Sequence, residues 1–159
     1  MTDRRHILKI ALLLVMAATL LFIFVNSALP REVSSAESEA VGGFIASIFP
    51  EGTWMNSFLT ENIRKIAHFS EYGALGAEAV LYILFFAKDR RKSLLLTAQA
   101  PFIVGLTDET IQIFSGRGPE IADVWIDISG FYTFALLSLG VYAVVKHITR
   151  FRKNRKTKE

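Results

Sequence analysis

The hydrophobic residues of the chain fall into four blocks, each about as long as a helix that crosses a bilayer. The blocks are residues 10–29, 67–87, 93–114 and 124–145. About 20 apolar residues in a helix cross the roughly 30 Å of hydrocarbon in a membrane. A soluble four-helix bundle would show polar residues every third or fourth position, whereas the first block has no charged or amide side chain before Asn26. The pattern therefore predicts an all-α membrane protein with four transmembrane helices in a single domain, residues 1–159.

The connections between the blocks carry weaker signals. Residues 30–64 form the one long connection, which begins with the polar stretch PREVSSAESEA. Its apolar run, residues 44–49, is too short to span and predicts a segment at the membrane surface. We expect Thr60 to cap a helix that begins near Glu61. We expect Pro101 to kink the third span.

The basic residues predict the orientation. Most of the 18 Lys and Arg residues lie before the first block, between the second and third, and after the fourth. Four crossings place all three clusters on one side, and the positive-inside rule makes that side the cytoplasm. Both termini, including the basic tail 146–159, are therefore expected inside, and residues 30–64 outside. We interpret the tail as binding anionic lipid rather than nucleic acid, so membrane lipids are the expected partners.

Two further features limit the function classes. The chain has no cysteine, which excludes disulfides, thiolate ligands and a cysteine nucleophile. The first apolar block is longer than the 7–15 residues typical of a signal peptide, so an uncleaved first span is expected.

Polar side chains from three blocks lie near one depth. Counted from the cytoplasmic basic clusters at about 1.5 Å per residue, Asp108 lies roughly 24 Å up, Glu71 roughly 26 Å, Asp127 roughly 28 Å and His68 roughly 30 Å. One ionised group facing lipid costs about 2.5–3.5 kcal/mol. We therefore expect these side chains to face one another around a polar cavity in the outer-leaflet half.

The residues of this layer allow more than one interpretation. They could stabilise helix packing, or they could form a binding site. The acids outnumber the bases, which favours a bound cation, a cationic ligand or protonated acids. No spacing is diagnostic of a metal, so no cofactor is predicted, and a divalent metal on His68, Glu71, Asp108 and Asp127 stays an alternative. The candidate ligand-binding residues are Lys65, His68, Glu71, Asp108, Glu109, Gln112, Arg117, Asp123 and Asp127.

Three stretches resemble the VanZ family of bacterial membrane proteins. They are RKIAHFSEYGALG (64–76), DETIQIFSGRG (108–118) and DVWIDISG (123–130). The resemblance adds Tyr72 to the candidate ligand-binding residues. The chain departs from the family pattern in the last loop, where Ser115 replaces a proline and Pro119 comes later. The resemblance implies a multi-pass protein of the bacterial cytoplasmic membrane and a link to resistance against teicoplanin-type glycopeptides.

Three functions fit these residues. The first is binding of a cell-envelope molecule in the outer cavity: a lipid-linked wall precursor, a lipid headgroup or a glycopeptide. Here Lys65 and Arg117 would hold phosphate or carboxylate. The alternative is a membrane-embedded hydrolase or transferase acting on a lipid headgroup, with or without a metal. The third is a proton-coupled transporter. The candidate catalytic residues of the alternative are His68, Glu71, Asp108, Glu109 and Asp127.

Overall fold

The chain folds into helices throughout the part that is described. The structure is a computed structural model that describes residues 2–116, 118 and 120–156, and these residues contain no strand. The all-α class is therefore confirmed. In chain order the helices are α1 (Thr2–Ala28), α2 (Arg31–Ile48), α3 (Trp54–Glu61), α4 (Ile63–Phe85), α5 (Arg90–Thr97), α6 (Ala100–Phe114) and α7 (Ile121–Lys156).

Among the described residues, two helices are long and apolar enough to cross a membrane. They are Asp3–Ala28 within α1 and Ile121–Arg155 within α7. Their outward faces carry large apolar side chains such as Leu14 and Leu136, which are 66% and 67% exposed. A lipid environment would cover such faces. The helix α4 is long enough, but the basic residues Arg64 and Lys65 and the acidic residues Glu71 and Glu78 interrupt its hydrophobic surface.

The third hydrophobic block forms two helices instead of one kinked span. The helix α5 ends at Thr97, and α6 starts at Ala100 with Pro101 in its first turn. Proline suits that position because a backbone N–H in the first turn of a helix has no acceptor within the helix, so proline loses no helical hydrogen bond there. The hydroxyl of Tyr132 on α7 donates to the Ala98 carbonyl at 2.5 Å. The break between the helices is thus tied to α7, and the expected kink inside one helix is wrong.

The long connection 30–64 is also mostly helical. It contains α2 and α3, and residues 44–49 belong to the end of α2 and the turn after it. The side chain that caps α3 is Thr53, which accepts from the Asn56 N–H. The prediction that Thr60 caps the next helix is wrong, because Thr60 lies inside α3 and donates to the Asn56 carbonyl at 2.8 Å. The next helix, α4, begins only at Ile63.

Two glycines allow the most extensive packing, which joins α4 to α7. A Cβ atom on Gly76 would clash with the Phe131 carbonyl, and one on Gly130 would clash with the Phe69 carbonyl. Each glycine thus faces the backbone of the other helix, the arrangement that lets helices approach closely in membranes. The core beside this crossing consists of Ile23, Tyr72, Leu75, Ala79 and Phe131.

Candidate functional site

Three side chains from three helices meet inside the bundle. His68 comes from α4, Asp108 from α6 and Asp127 from α7. The Nδ1 atom of His68 lies 3.1 Å from Oδ1 of Asp127 and 3.7 Å from Oδ2 of Asp108. Both aspartates are fully buried and His68 is nearly so. We call these three residues the His–Asp cluster.

Asp108 is held by hydrogen bonds to both of its oxygens. The Ser27 hydroxyl on α1 donates to Oδ1, and the Gln112 amide, one turn further along α6, donates to Oδ2 at 3.0 Å. The Ser115 hydroxyl donates to the Ser27 carbonyl at 2.9 Å. These bonds join α1 to α6 and fix the direction in which Asp108 faces His68.

Asp127 lies in a tighter setting. Gly105 on α6 packs opposite it, and a Cβ atom there would lie 3.6 Å from Asp127 Oδ2. The Oδ2 atom is buried and has no hydrogen-bond partner among the described residues, and the same holds for Oε1 of Gln112. The buried hydroxyl of Tyr72, which lies beside Asp127, also makes no hydrogen bond of normal length among the described residues.

A cavity of about 470 Å³ opens beside the cluster, between α1, α2 and α4. Its polar lining from α1 and α4 comprises Asn26, Ser27, Arg64, His68 and Glu71, and its apolar lining includes Phe22, Val41 and Ile63. The helix α2 adds the polar residues Ser34, Glu37 and Ser38. A cavity with both polar and apolar lining suits a molecule that has a polar head and an apolar tail.

His68 connects this cavity to the two aspartates. Its ring lines the cavity, while its Nδ1 atom contacts Asp127 on the buried side. An imidazole oriented by a carboxylate is the arrangement that general-base catalysis uses. The geometry thus permits chemistry as well as binding.

Two further acids of α4 accept hydrogen bonds from side chains of α1. Glu71 lines the same cavity and accepts from the Asn26 amide at 3.1 Å. Glu78, two turns further along α4, accepts from the Thr19 hydroxyl at 2.9 Å. Tyr72 is completely buried in the core, so it packs against the cluster and does not line the cavity.

Glu109 and Asp123 lie outside the His–Asp cluster and do not line the cavity. The Oε2 atom of Glu109 accepts from the backbone N–H of Glu120 at 2.8 Å. Asp123 occupies the first turn of α7 and is buried. Glu109 therefore contacts the connection between α6 and α7 rather than the cavity.

The basic residue in the cavity is not the one expected. Lys65 is exposed and does not line the cavity, whereas its neighbour Arg64 does. Arg117 lies outside the described residues. Sequence reasoning also missed Asn26 and Ser27, although the abrupt change from apolar to polar residues at Asn26 is a signal that could have identified them.

Comparisons with known proteins yield one match. A family model described as VanZ/LLP1 matches residues 9–144, a range that contains the His–Asp cluster and every residue that lines the cavity. A search of curated proteins found no match, and neither did a search of solved structures.

Proposed function

Because this chain belongs to the VanZ-like family, we propose that it is a multi-pass protein of the bacterial cytoplasmic membrane whose cavity binds a phosphate-bearing envelope lipid. The observation that carries the proposal is the mixed lining of the cavity. Arg64 and His68 offer polar donors, while Phe22 and Val41 offer apolar surface. A guanidinium group pairs well with phosphate oxygens, and the apolar surface suits an acyl or isoprenoid chain.

The topology of this proposal follows the basic clusters. With α1, α4, the α5–α6 pair and α7 as the four crossings, both termini lie in the cytoplasm. The His–Asp cluster and its cavity then lie in the outer-leaflet half. Lipid-linked wall precursors and phospholipid headgroups are both accessible there.

Two adjacent basic residues provide a matched test. Arg64 lines the cavity and Lys65 does not. Loss of a charged hydrogen bond costs about 1.5–3 kcal/mol, so Arg64→Gln should weaken lipid binding by about 10- to 100-fold, while Lys65→Gln should leave it unchanged. Native mass spectrometry of the purified protein can count bound lipid, using a polyprenyl phosphate and a diacylglycerol phosphate in separate arms.

The arms distinguish the sources of the phosphate. Preference for polyprenyl phosphate identifies a wall precursor, and preference for the diacyl lipid identifies a phospholipid. Equal loss in the Arg64→Gln and Lys65→Gln variants would contradict the cavity as the binding site. Binding of teicoplanin but of neither lipid would overturn the lipid assignment.

The second candidate function is hydrolysis or transfer at the lipid headgroup. The contact between His68 and Asp127 favours it, since an oriented imidazole that lines a cavity can accept a proton from water. Release of phosphate or headgroup from the two lipids would establish turnover. A His68→Gln variant that still binds lipid but has no turnover would assign the base.

A cellular role in glycopeptide resistance is a separate part of the proposal, and family membership motivates it. Expression of the chain in a sensitive bacterium should raise the inhibitory concentration of teicoplanin. The Arg64→Gln variant should not raise it. No change with the wild-type chain would remove the resistance role and leave lipid binding intact.

A further inference from the structure

We infer that His68, Asp108 and Asp127 bind one divalent transition-metal ion, of which Zn²⁺ is the best match. The inference deepens the proposed function, on which it rests only for the role of the ion: a bound cation would place positive charge next to the cavity that takes the lipid phosphate. The ion itself is argued from the geometry, the charge and the hydrogen bonds of the cluster.

The distances between ligand atoms fit a tetrahedral zinc site. One nitrogen or oxygen from each of the three residues lies within 4.8 Å of the others. A tetrahedral centre with bonds of about 2.0–2.1 Å has ligand atoms about 3.3–3.4 Å apart. The observed separations from His68 Nδ1, 3.1 Å to Asp127 and 3.7 Å to Asp108, lie on either side of that value.

The charge of the cluster also favours a bound cation. Both aspartates are fully buried, and His68 is the only basic group within ion-pair distance of either among the described residues. Burying an ionised carboxylate without a counter-ion is costly. Two carboxylates and a neutral imidazole balance the charge of one divalent ion.

The hydrogen bonds around the cluster supply an independent observation. Asp127 is completely buried, yet no described donor, the neighbouring Tyr72 hydroxyl included, reaches normal hydrogen-bond distance of its Oδ2 atom. Asp108, in contrast, is oriented by Ser27 and Gln112. Outer hydrogen bonds of this kind usually fix the carboxylates that bind metals. An unsatisfied acceptor beside an oriented carboxylate points to a missing positive partner.

The donor set favours Zn²⁺ over Mg²⁺. Imidazole suits zinc and other transition metals, whereas Mg²⁺ prefers six oxygen ligands in a strict octahedron. Zinc sites that act on substrates use three protein ligands and leave a fourth position open. His68 lines the cavity while its Nδ1 atom faces the aspartates on the buried side, so the ion would lie behind the imidazole ring and would add positive charge beside the cavity.

The test uses the full chain, purified in detergent without a tag and stripped with a chelator. Titration against a chromogenic zinc indicator should give about one Zn²⁺ per chain, and Mg²⁺ should not compete. The double variant Asp108→Asn/Asp127→Asn should lose affinity by more than the roughly 10- to 100-fold typical of outer-shell changes. The control is Glu78→Gln, a change at an acid that binds Thr19 outside the cluster, and it should bind zinc like the wild type.

A second measurement needs no variant. X-ray absorption of the zinc-loaded wild type should show only nitrogen and oxygen neighbours at about 2.0–2.1 Å, with scattering from a single imidazole. The chain has three histidines, so scattering from two or more would place zinc elsewhere and overturn the inference. Unchanged affinity in the double variant would also overturn it. Absence of zinc binding in protein that still binds lipid phosphate would overturn the metal and leave the proposed function standing.

Discussion

At the scale of single residues, adjacent side chains have different roles. Asp108 and Glu109 follow one another on α6, but Asp108 faces His68 while Glu109 binds the backbone of Glu120. Successive helical residues point about 100° apart, so they meet different neighbours. Arg64 and Lys65 differ in the same way, since only Arg64 lines the cavity.

The contact between Glu109 and Glu120 predicts the behaviour of two variants. Glu109→Ala removes the acceptor of the part-buried hydrogen bond from the Glu120 backbone N–H, so the free energy of unfolding should fall by about 1 kcal/mol. Glu109→Gln keeps an acceptor oxygen and should retain most of the stability. Thermal unfolding in detergent measures both.

The same two variants distinguish a structural role of Glu109 from a role in lipid binding. Because Glu109 does not line the cavity, folded protein of either variant should bind lipid phosphate as the wild type does. A Glu109→Gln variant with normal stability and lost lipid binding would return Glu109 to the site.

At the scale of elements, the sequence predicts helices well where a hydrophobic block is long. It predicts α1 and α7 because their apolar runs leave no alternative. It does not predict α2, whose Ser-rich start and adjacent Gly42 and Gly43 have low helix propensity. It also does not predict the break before Pro101, because a contact from Tyr132 on another helix fixes that turn.

The polar site, like the helices, could be predicted only in part from the sequence. Equal depth and helical spacing were enough to select His68, Asp108 and Asp127, which the fold brings together. The cavity residues of α2, such as Ser34 and Glu37, could not be selected. Their position depends on how α2 folds back over α4, and no local pattern encodes that.

The crossing of α4 and α7 predicts a strong effect of small substitutions. Gly76→Ala and Gly130→Ala each add a methyl group that meets a backbone carbonyl, so each should destabilise the protein by about 1–3 kcal/mol through overpacking. Gly140→Ala is the control, since a Cβ atom there has nothing within 4 Å.

The measurement is thermal unfolding of the three variants under identical detergent conditions. The first two should unfold at lower temperature, while Gly140→Ala should match or exceed the wild type because alanine favours helix. Equal stability of all three would mean that the two helices are not in close contact in the membrane.

At the scale of the whole molecule, the proposed topology places the cavity and the break between α4 and α5 on opposite sides of the membrane. The chain has no native cysteine, so single introduced cysteines report their own side. Ser35 on α2 and Lys92 on α5 are both exposed. An impermeant thiol reagent on intact cells should label the Ser35→Cys variant and spare the Lys92→Cys variant, which should react only after lysis. The reverse pattern would invert the orientation.

The helix α2 forms one wall of the cavity, yet buries none of its own residues. A helix without buried side chains has little to oppose local unfolding, so its amide protons should exchange with deuterium much faster than those of α4. A lipid tail in the cavity would supply the apolar surface that α2 lacks. The ligand would then complete the hydrophobic core around α2, and slower amide exchange in α2 would report that the ligand is bound.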